Sequence, residues 1–386
     1  MMLGSVIAPT LAAPHQARRA RLHFKSTMLC LKRSLHTSAR RERYRILMFG
    51  ADDFSCTTLK ALYDNRTDLV DELVVIVPPD QRTGRGLRKV HRPPLRILAE
   101  ELQLETMSLP TTLLQGWQPP ERFRKSSPDS VLLTASFGHL IPSRILSMFE
   151  PLHTLNVHPS LLPKYRGAAP IQWTIANGDR ETGVTVQELS RGKFDHGRIL
   201  GQSRVAVPDG STFTLLEPVL AQEGGRLLVD VLRNFDKAKA NARLQDSSLA
   251  RLAPKIGKDD ARVKWSCVSS EQLIRLQNGI GHQIPLWSTL RLDERSDPVI
   301  VQLKFRSNFT EKPVALARDL EPGSLVVDLK TRSLFATCRL SHDSEAPNGI
   351  VVDQLKMPNG KWNNGWDWYN GVGRSCSNDK GVIRLE

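Results

Sequence analysis

Two polar side chains, Asn156 and His158, stand two positions apart at the end of a strand-like run, Thr154–His158. In extended chain, such positions point to the same face. Pro159 and Pro163 follow at once and stop the strand from continuing inside a sheet. The chain therefore turns away where an amide and an imidazole emerge together. Such a pair suits acyl transfer, in which an amine attacks a carbonyl carbon and negative charge grows on the oxygen. An oriented Asn amide and a protonated His can both donate to that oxygen, and losing one such donor costs roughly a hundred- to a thousand-fold in rate. A histidine of ordinary basicity is only partly protonated at neutral pH, so a neighbouring carboxylate helps to hold it charged. Asp195, in Lys193-Phe194-Asp195-His196-Gly197, can supply that carboxylate. The same group could accept a proton from the attacking ammonium or order a water that does. The sequence leaves those proton transfers open.

Rival readings of these residues are weighed on spacing. An Asn-x-His at a strand end is, taken alone, more often a hydrogen-bonded edge feature. A metal site from His153, His158 and His196 has none of the spacings of zinc motifs, and no metal is expected. Gly50-Ala51-Asp52-Asp53-Phe54 lacks the three-glycine dinucleotide pattern, and Gly84-Arg85-Gly86 lacks the Gly-Lys-Ser/Thr ending of a phosphate loop. Nucleotide binding is set aside on these grounds. Five scattered cysteines, none in C-x-x-C spacing, read as reduced structural thiols.

The elements that must position the pair alternate in type. Tyr44–Phe49, Leu73–Val77, Val131–Ala135, Thr154–His158 and Gly183–Leu189 are short apolar, β-branched runs. Helically spaced stretches such as Thr57–Tyr63 and Pro94–Leu102 lie between them. This alternation predicts an α/β fold with a Rossmann-like, mostly parallel sheet over residues 43–236. Ligands of such sheets sit beyond the carboxyl ends of the strands, where Asn156 and His158 fall. Phe213–Phe235 reads as a long closing helix, weakened by Gly224 and Gly225. Residues 237–260 are polar and poorly periodic and read as an interdomain linker. Residues 261–386 open with a helix at Ser270–Leu276. They then give short β-prone runs, Val299–Phe305, Ser324–Leu329, Leu334–Arg339 and Gly349–Leu355, which predicts a small β-barrel (OB-like) C-terminal domain. The stretches 306–313 and 341–348 read as extended loops.

The net charge of +14 is unevenly spread over the 386 residues. Residues 1–41 hold eight Arg and Lys and no acid, which leaves only +6 for the rest. An Arg-, Ser-, Leu- and Ala-rich, acid-free leader is the composition of a mitochondrial presequence. Residues 1–42 are therefore expected to be disordered and removed, with the working protein beginning near Arg43 in the matrix. No run of eighteen apolar residues is present, so no membrane span is expected.

The stretch Asn156–Pro170, then Asp179–Val184, then Phe194-Asp195-His196-Gly197 resembles the signature of the folate-dependent formyltransferases. More narrowly it resembles the branch that acts on methionyl-tRNA, and the similarity runs along most of the chain from Tyr44 onward. The resemblance implies that Asn156, His158 and Asp195 are the catalytic trio. It implies that Ser160, Leu161, Leu162 and Pro163 contact the co-substrate, 10-formyltetrahydrofolate. It further implies that the turn Thr134-Ala135-Ser136-Phe137-Gly138 lines the pterin pocket, with Phe137 and Gly138 at the ligand. The spacing from His158 to Asp195 is one residue longer than in the bacterial pattern, with the slack near Arg191–Lys193. His196 stands where a small hydroxyl residue is common.

The acceptor is read from residues 79–92. Arg82, Arg85, Arg88, Lys89 and Arg92 face a single acid, Asp80, and Gly84 and Gly86 make the loop pliable. A mobile basic finger suits phosphates; a solvated charged loop is the bland alternative. The segment resembles the insertion with which this family grips the acceptor end of initiator tRNA, and Arg85 matches its key arginine. Ala261–Ser266 resembles the junction into the family's tRNA-binding β domain. Residues 261–386 carry only 17 Lys and Arg against 14 Asp and Glu. Of Trp362, Trp366, Trp368 and Tyr369, most are expected to pack in the core rather than stack on bases. The combined expectation is a monomer that formylates the α-amine of initiator methionyl-tRNA for mitochondrial translation initiation. Alternatives are an amino sugar, a nucleotide precursor or water as acceptor, or a non-catalytic RNA-binding protein on the same fold.

Overall fold

Strands β1 (Tyr44–Phe49), β2 (Val70–Val77), β5 (Glu105–Ser108), β6 (Ser130–Ala135), β7 (Thr154–His158), β8 (Glu181–Glu188) and β9 (Ile199–Ala206) form one seven-stranded sheet. Its order is β5-β2-β1-β6-β7-β8-β9. Strands β5, β2, β1, β6 and β7 are parallel to one another. Strands β8 and β9 continue the sheet antiparallel. The inner strands are the continuous apolar runs of the sequence: every residue of β6, and all but one of β1, is buried, as a sheet covered on both faces requires. The chain order reverses between β1 and β6, which places a switch-point crevice beside β6 and β7.

This structure is a computed structural model, and it describes residues 43–110, 114–292, 296–306, 320–339, 349–378 and 381–386, with the side chain of Arg85 outside the description. Residues 1–42 and 341–348, and all but the first residue of 306–313, lie outside the described residues.

Helix α1 (Asp53–Asp64) starts where β1 ends, its first turn capped by the Asp52 carboxylate accepting from Ser55 N–H at 3.2 Å. Helices α2 (Pro94–Glu101) and α3 (Pro170–Asn177) each open with a proline, whose missing N–H costs nothing there. Helix α4 (Phe213–Arg233) closes the sheet against α1. Gly224 and Gly225, expected to weaken α4, are what lets it approach. A Cβ on Gly224 would lie 3.0 Å from Val157, and one on Gly225 would lie 2.8 Å from Ala61.

Beyond α5 (Ser270–Ile280), strands β10 (Leu286–Leu290), β11 (Val299–Phe305), β14 (Gly349–Lys356), β13 (Ser333–Thr337), β12 (Ser324–Asp328) and β16 (Ile383–Arg384) follow in spatial order, with β15 (Trp362–Asn364) pairing on β14. Leu385 bridges back to Leu290, so the antiparallel sheet nearly closes into a barrel. Its interior holds Trp265, Leu286, Leu303, Leu334, Ile350 and Trp368. Gly279 of α5 meets α3 so closely that a Cβ would lie 2.6 Å from the Gln172 carbonyl. The stretch 237–260, read from composition as a linker, begins within a helical turn, Phe235–Ala240. It then runs back along the sheet domain: Arg243 pairs with Ile199, Arg166 N–H donates to Arg251 O at 2.9 Å, and Ala253 N–H donates to Arg166 O at 2.7 Å.

Candidate active site

A cavity of about 490 Å³ opens at the carboxyl edge of the parallel strands, a size ordinary for a small-molecule site. Five segments line it: Asp52–Phe54 after β1, Thr134–Ile141 at the end of β6, Asn156–Pro159 at the end of β7, Gly167–Gln172 at the start of α3, and Gln187–Asp195 around the β8 turn. Phe213 and Glu217 of α4 complete the wall.

Asn156, His158 and Asp195 converge on this hollow. The Thr134 hydroxyl donates to Asn156 Oδ1 at 2.7 Å, which fixes which end of the amide faces where. Asn156 Nδ2 then faces Asp195 Oδ1 at 3.4 Å. Asp195 Oδ1 also accepts from Gln187 Nε2 at 2.7 Å, and Oδ2 accepts from the Gly167 N–H at 2.9 Å. His158 Nδ1 lies 3.4 Å from Asp195 Oδ1, and its Nε2 donates to the Tyr165 carbonyl at 2.9 Å. A carbonyl only accepts, so Nε2 carries a hydrogen. Nδ1 is the nitrogen turned toward the Asp195 carboxylate. The side chains of His158 and Asp195 are 6% and 8% exposed, so their contact is sheltered from bulk water.

Asp195 sits at φ 57°, in the left-handed region that non-glycine residues seldom occupy. Gly197, two residues on, passes 1.7 Å (measured from a hypothetical Cβ) from the Glu188 carbonyl, so only glycine fits there. The glycine two residues after Asp195 is thus a geometric requirement of the turn.

Across the cavity, burial pushes the carboxyls of Asp52 and Glu217 up, with repulsion from Asp53 adding to it at Asp52 and from Asp52 and Asp53 at Glu217. Burial, aided by the same acids, pushes the Cys56 thiol up to about 12. It is therefore no thiolate nucleophile at neutral pH.

Of the residues expected at the folate, Phe137 and Gly138 line the cavity, beside Leu140, Ile141 and Leu146. Ser160, Leu161, Leu162 and Pro163 are not on its wall. The Thr185 hydroxyl donates to Ser160 O at 2.6 Å and accepts from Leu162 N–H at 3.1 Å. Gln202 Nε2 donates to Leu162 O, and Leu161 packs on Gly183. The loop is anchored behind the site, where it carries Tyr165 to His158. The expected finger is a hairpin of β3 (Gln81–Thr83) and β4 (Lys89–His91), with Arg82, Arg88 and Lys89 exposed. Arg85 lies in its turn, and its side chain is outside the described residues. His153, His158 and His196 take separate partners: Ser130 O and Lys239 for the first, Asp195 and Tyr165 O for the second, Phe194 O for the third.

Sequence reasoning did not reach Gln187, Gln245 or Arg166. Gln187 stands opposite Asn156 in the β7–β8 register, which depends on β8 turning antiparallel. Gln245 lies 50 residues past Asp195, in a stretch with no periodic signal.

A formyl transferase family profile matches residues 43–232, the seven-stranded sheet with its closing helix. Fold and cluster together define an N-terminal formyl transferase region. A mitochondrial methionyl-tRNA formyltransferase of Homo sapiens is 33% identical over 300 residues, covering 77% of this chain and 72% of its own. A methionyl-tRNA formyltransferase of Syntrophus aciditrophicus is 36% identical over 224 residues, covering 57% of this chain and 68% of its own. The chain belongs to the methionyl-tRNA formyltransferase family. Among solved structures, the sugar 3N-formyl transferase WlaRD superposes with a TM-score of 0.50 at 14% identity, covering 82% of this chain and 99% of that one. A variant of HypX from Aquifex aeolicus gives 0.50 at 15%, covering 86% and 48%. At these identities the likeness concerns the fold alone.

Proposed function

We propose that the protein transfers the formyl group of 10-formyltetrahydrofolate to the α-amine of initiator methionyl-tRNA in the mitochondrial matrix. The observation that carries this is the meeting of Asn156 and His158, from the end of β7, with Asp195, from the loop after β8, on one hollow at the carboxyl edge. Membership of the methionyl-tRNA formyltransferase family supports the acceptor and the donor class. The apolar wall of Phe137, Leu140, Ile141 and Leu146 beside a few oriented donors fits a flat heterocycle. The folate, when bound, supplies the electrophilic formyl carbon.

The chain's own residues do the rest. Thr134 holds Asn156 so that one Nδ2 hydrogen faces Asp195 and the other is left for the developing oxyanion. His158, between the Tyr165 carbonyl and Asp195, backs that amide and fixes the carboxylate beside it. Asp195 orients the ring and the amide. Phe137 and Gly138 seat the pterin, and the loop Ser160–Pro163 acts from behind by fixing the His158 turn. Arg82, Arg85, Arg88 and Lys89 engage the tRNA backbone from the hairpin. The catalytic unit spans 43–236, the connection 237–260 and the tRNA-binding barrel 261–386. The test is incubation with charged initiator tRNA and the formyl donor, followed by detection of formylmethionine. Free methionine and amino sugars serve as competing acceptors. Near-normal turnover in both Asn156→Ala and His158→Ala would defeat the assignment of the site. Better turnover on an amino sugar would defeat that of the acceptor.

A further inference from the structure

Asp195 sits in the left-handed region, uncommon for any residue but glycine, and part of what holds it there comes from outside its own loop. Its φ of 57° lies at the point where the loop 190–194 re-enters the site. The tip of that loop is open: a Cβ on Gly192 would meet nothing within 4 Å. Something else must fix the backbone of Asp195, and Gln245 is placed to do so. Its Nε2 faces Asp195 O at 3.0 Å, Gly197 O at 2.8 Å and Gln187 Oε1 at 3.1 Å, its two hydrogens serving three acceptors with one of them shared. These three oxygens straddle the Asp195 turn and reach the amide that grips Asp195 Oδ1.

The orientation of Gln245 is set in turn. Its Oε1 accepts from Arg166 Nε at 3.0 Å and Nη2 at 2.8 Å. A guanidinium only donates, so the Gln245 amide cannot be reversed without setting donor against donor and oxygen against oxygen. Arg166 is 6% exposed and is tied at both backbone groups to Arg251 and Ala253. Burial pushes its guanidinium down, while the Asp195 charge works the other way. The peptide N–H that holds Asp195 Oδ2 belongs to Gly167, the next residue.

We propose that Arg166 and Gln245 are a positioning pair that fixes the Asp195 turn, so that the chain leaving the sheet for the barrel sets the geometry of the reacting centre. The inference rests on Asp195 being part of the catalytic trio. Neither residue lines the cavity wall. Their effect therefore falls on turnover and not on substrate affinity.

Gln245→Glu separates positioning from packing. Glutamate keeps the shape and strengthens the Arg166 contact, but sets an acceptor against three oxygens. The full chain with Gln245→Glu is expected to lose on the order of 10- to 100-fold in kcat, the scale of a small misplacement of a reacting group. KM for methionyl-tRNA and for the formyl donor should stay within about threefold, as for loss of a contact felt only at the transition state. In an Asp195→Asn background the same change should cost little more, because coupled residues are not additive. Gln245→Asn, which keeps the donor but shortens its reach, is measured in parallel and held to the same outcomes if the glutamate variant does not fold. A folded Gln245→Glu or Gln245→Asn with near-normal kcat, or full additivity with Asp195→Asn, overturns the proposal. Near-normal turnover in Asp195→Asn alone is a different failure: it removes the catalytic role of Asp195, and this inference with it.

Discussion

The loop after β7 and the hairpin after β2 leave the same edge of the same parallel sheet, yet they are held in opposite ways. Between His158 and Ala169 the chain is tied to residues far away in sequence: Thr185, Asp195, Gln245, Arg251 and Ala253. In the hairpin, every described side chain from Gln81 to Arg92 is exposed. Its base is secured by surface pairs, Arg92 with Glu100 and Arg96 with Asp80, of the kind worth about 1 kcal/mol or less. An oxyanion forms at one point, so its donors must be fixed before it appears. A phosphate chain can be met in many poses, so its cations gain from freedom to follow it. On the proposed function, a tied loop and an exposed one thus divide the chemistry and the phosphate contacts between them, and variants on each should fail differently.

The largest effect is expected in the tied region. Asn156→Ala should lower kcat roughly a hundred- to a thousand-fold, as removal of an oxyanion donor does, whereas His158→Ala, which removes the ring behind that amide with both its nitrogens on Tyr165 O and Asp195, should lower it by on the order of 10- to 100-fold, the scale of a misplaced reacting group. KM for methionyl-tRNA should hardly move, because the hairpin and barrel are untouched. A rise in KM with kcat preserved would mean that these groups bind substrate rather than stabilise charge, and the contrast between the loops would be lost.

Thr134→Val sharpens the same point one contact further out. The hydroxyl that orients Asn156 is lost at nearly constant volume, leaving Asn156 Oδ1 without its donor. A hydrogen bond to a half-buried amide on the cavity wall is worth about 0.5–1.5 kcal/mol net, so kcat should fall by about 2- to 13-fold, less than in Asn156→Ala. Steady-state kinetics with circular dichroism as a fold control reads it. Wild-type turnover would show that the amide needs no fixing.

Arg88→Ala and Lys89→Ala probe the untied loop. Each should raise KM for the tRNA with kcat nearly unchanged. If each meets one phosphate, each should lower the slope of log affinity against log salt by about one. Titration of tRNA binding at several salt concentrations measures it. An unchanged slope would leave the hairpin a solvated loop with no part in binding.

What the sequence disclosed follows the same division. The parallel strands were legible because burial on both faces makes them continuous apolar runs, as in Ser130–Ala135. Strand β5 and most of β9 were not: they are edge strands with exposed polar positions, such as Glu105 and Arg204. Helix α3 carries apolar residues on most sides, because the sheet region and α5 both cover it, and so shows no stripe. The trio was readable because two members share a strand and the third precedes an obligatory glycine. Gln187 and Gln245 were not, since their roles come from strand register and from a return of the chain that no local pattern encodes. Gly224 and Gly225 were read by their helix propensity alone. Their partners, Val157 and Ala61, are tertiary neighbours, and the close approach outweighs the local cost.

The smallest effect belongs to the far end of β7. His153 precedes the strand whose last residue is His158, but it faces the sheet's amino edge. It is 1% exposed, with Nδ1 on the Ser130 carbonyl at 3.2 Å and Nε2 3.2 Å from Lys239 Nζ. This fits a neutral ring that donates to one and accepts from the other. Burial, then the Lys239 charge, holds its pKa below the ordinary value. The sign follows from linkage: a histidine depressed in the folded state is protonated first in the unfolded chain. Its contribution is whole above the unfolded pKa of about 6.5 and is lost as pH falls from there toward the folded value. His153→Gln can keep both hydrogen bonds without titrating. Wild type should therefore lose more melting temperature than His153→Gln between pH 7.5 and 5.5, by on the order of a few degrees. The kcat of the two proteins at pH 7.5 should agree. Parallel melting curves across that range would show that His153 carries no such burden. A loss of kcat in His153→Gln would extend the reacting machinery along the whole of β7, and the confinement of function to the carboxyl edge would fail.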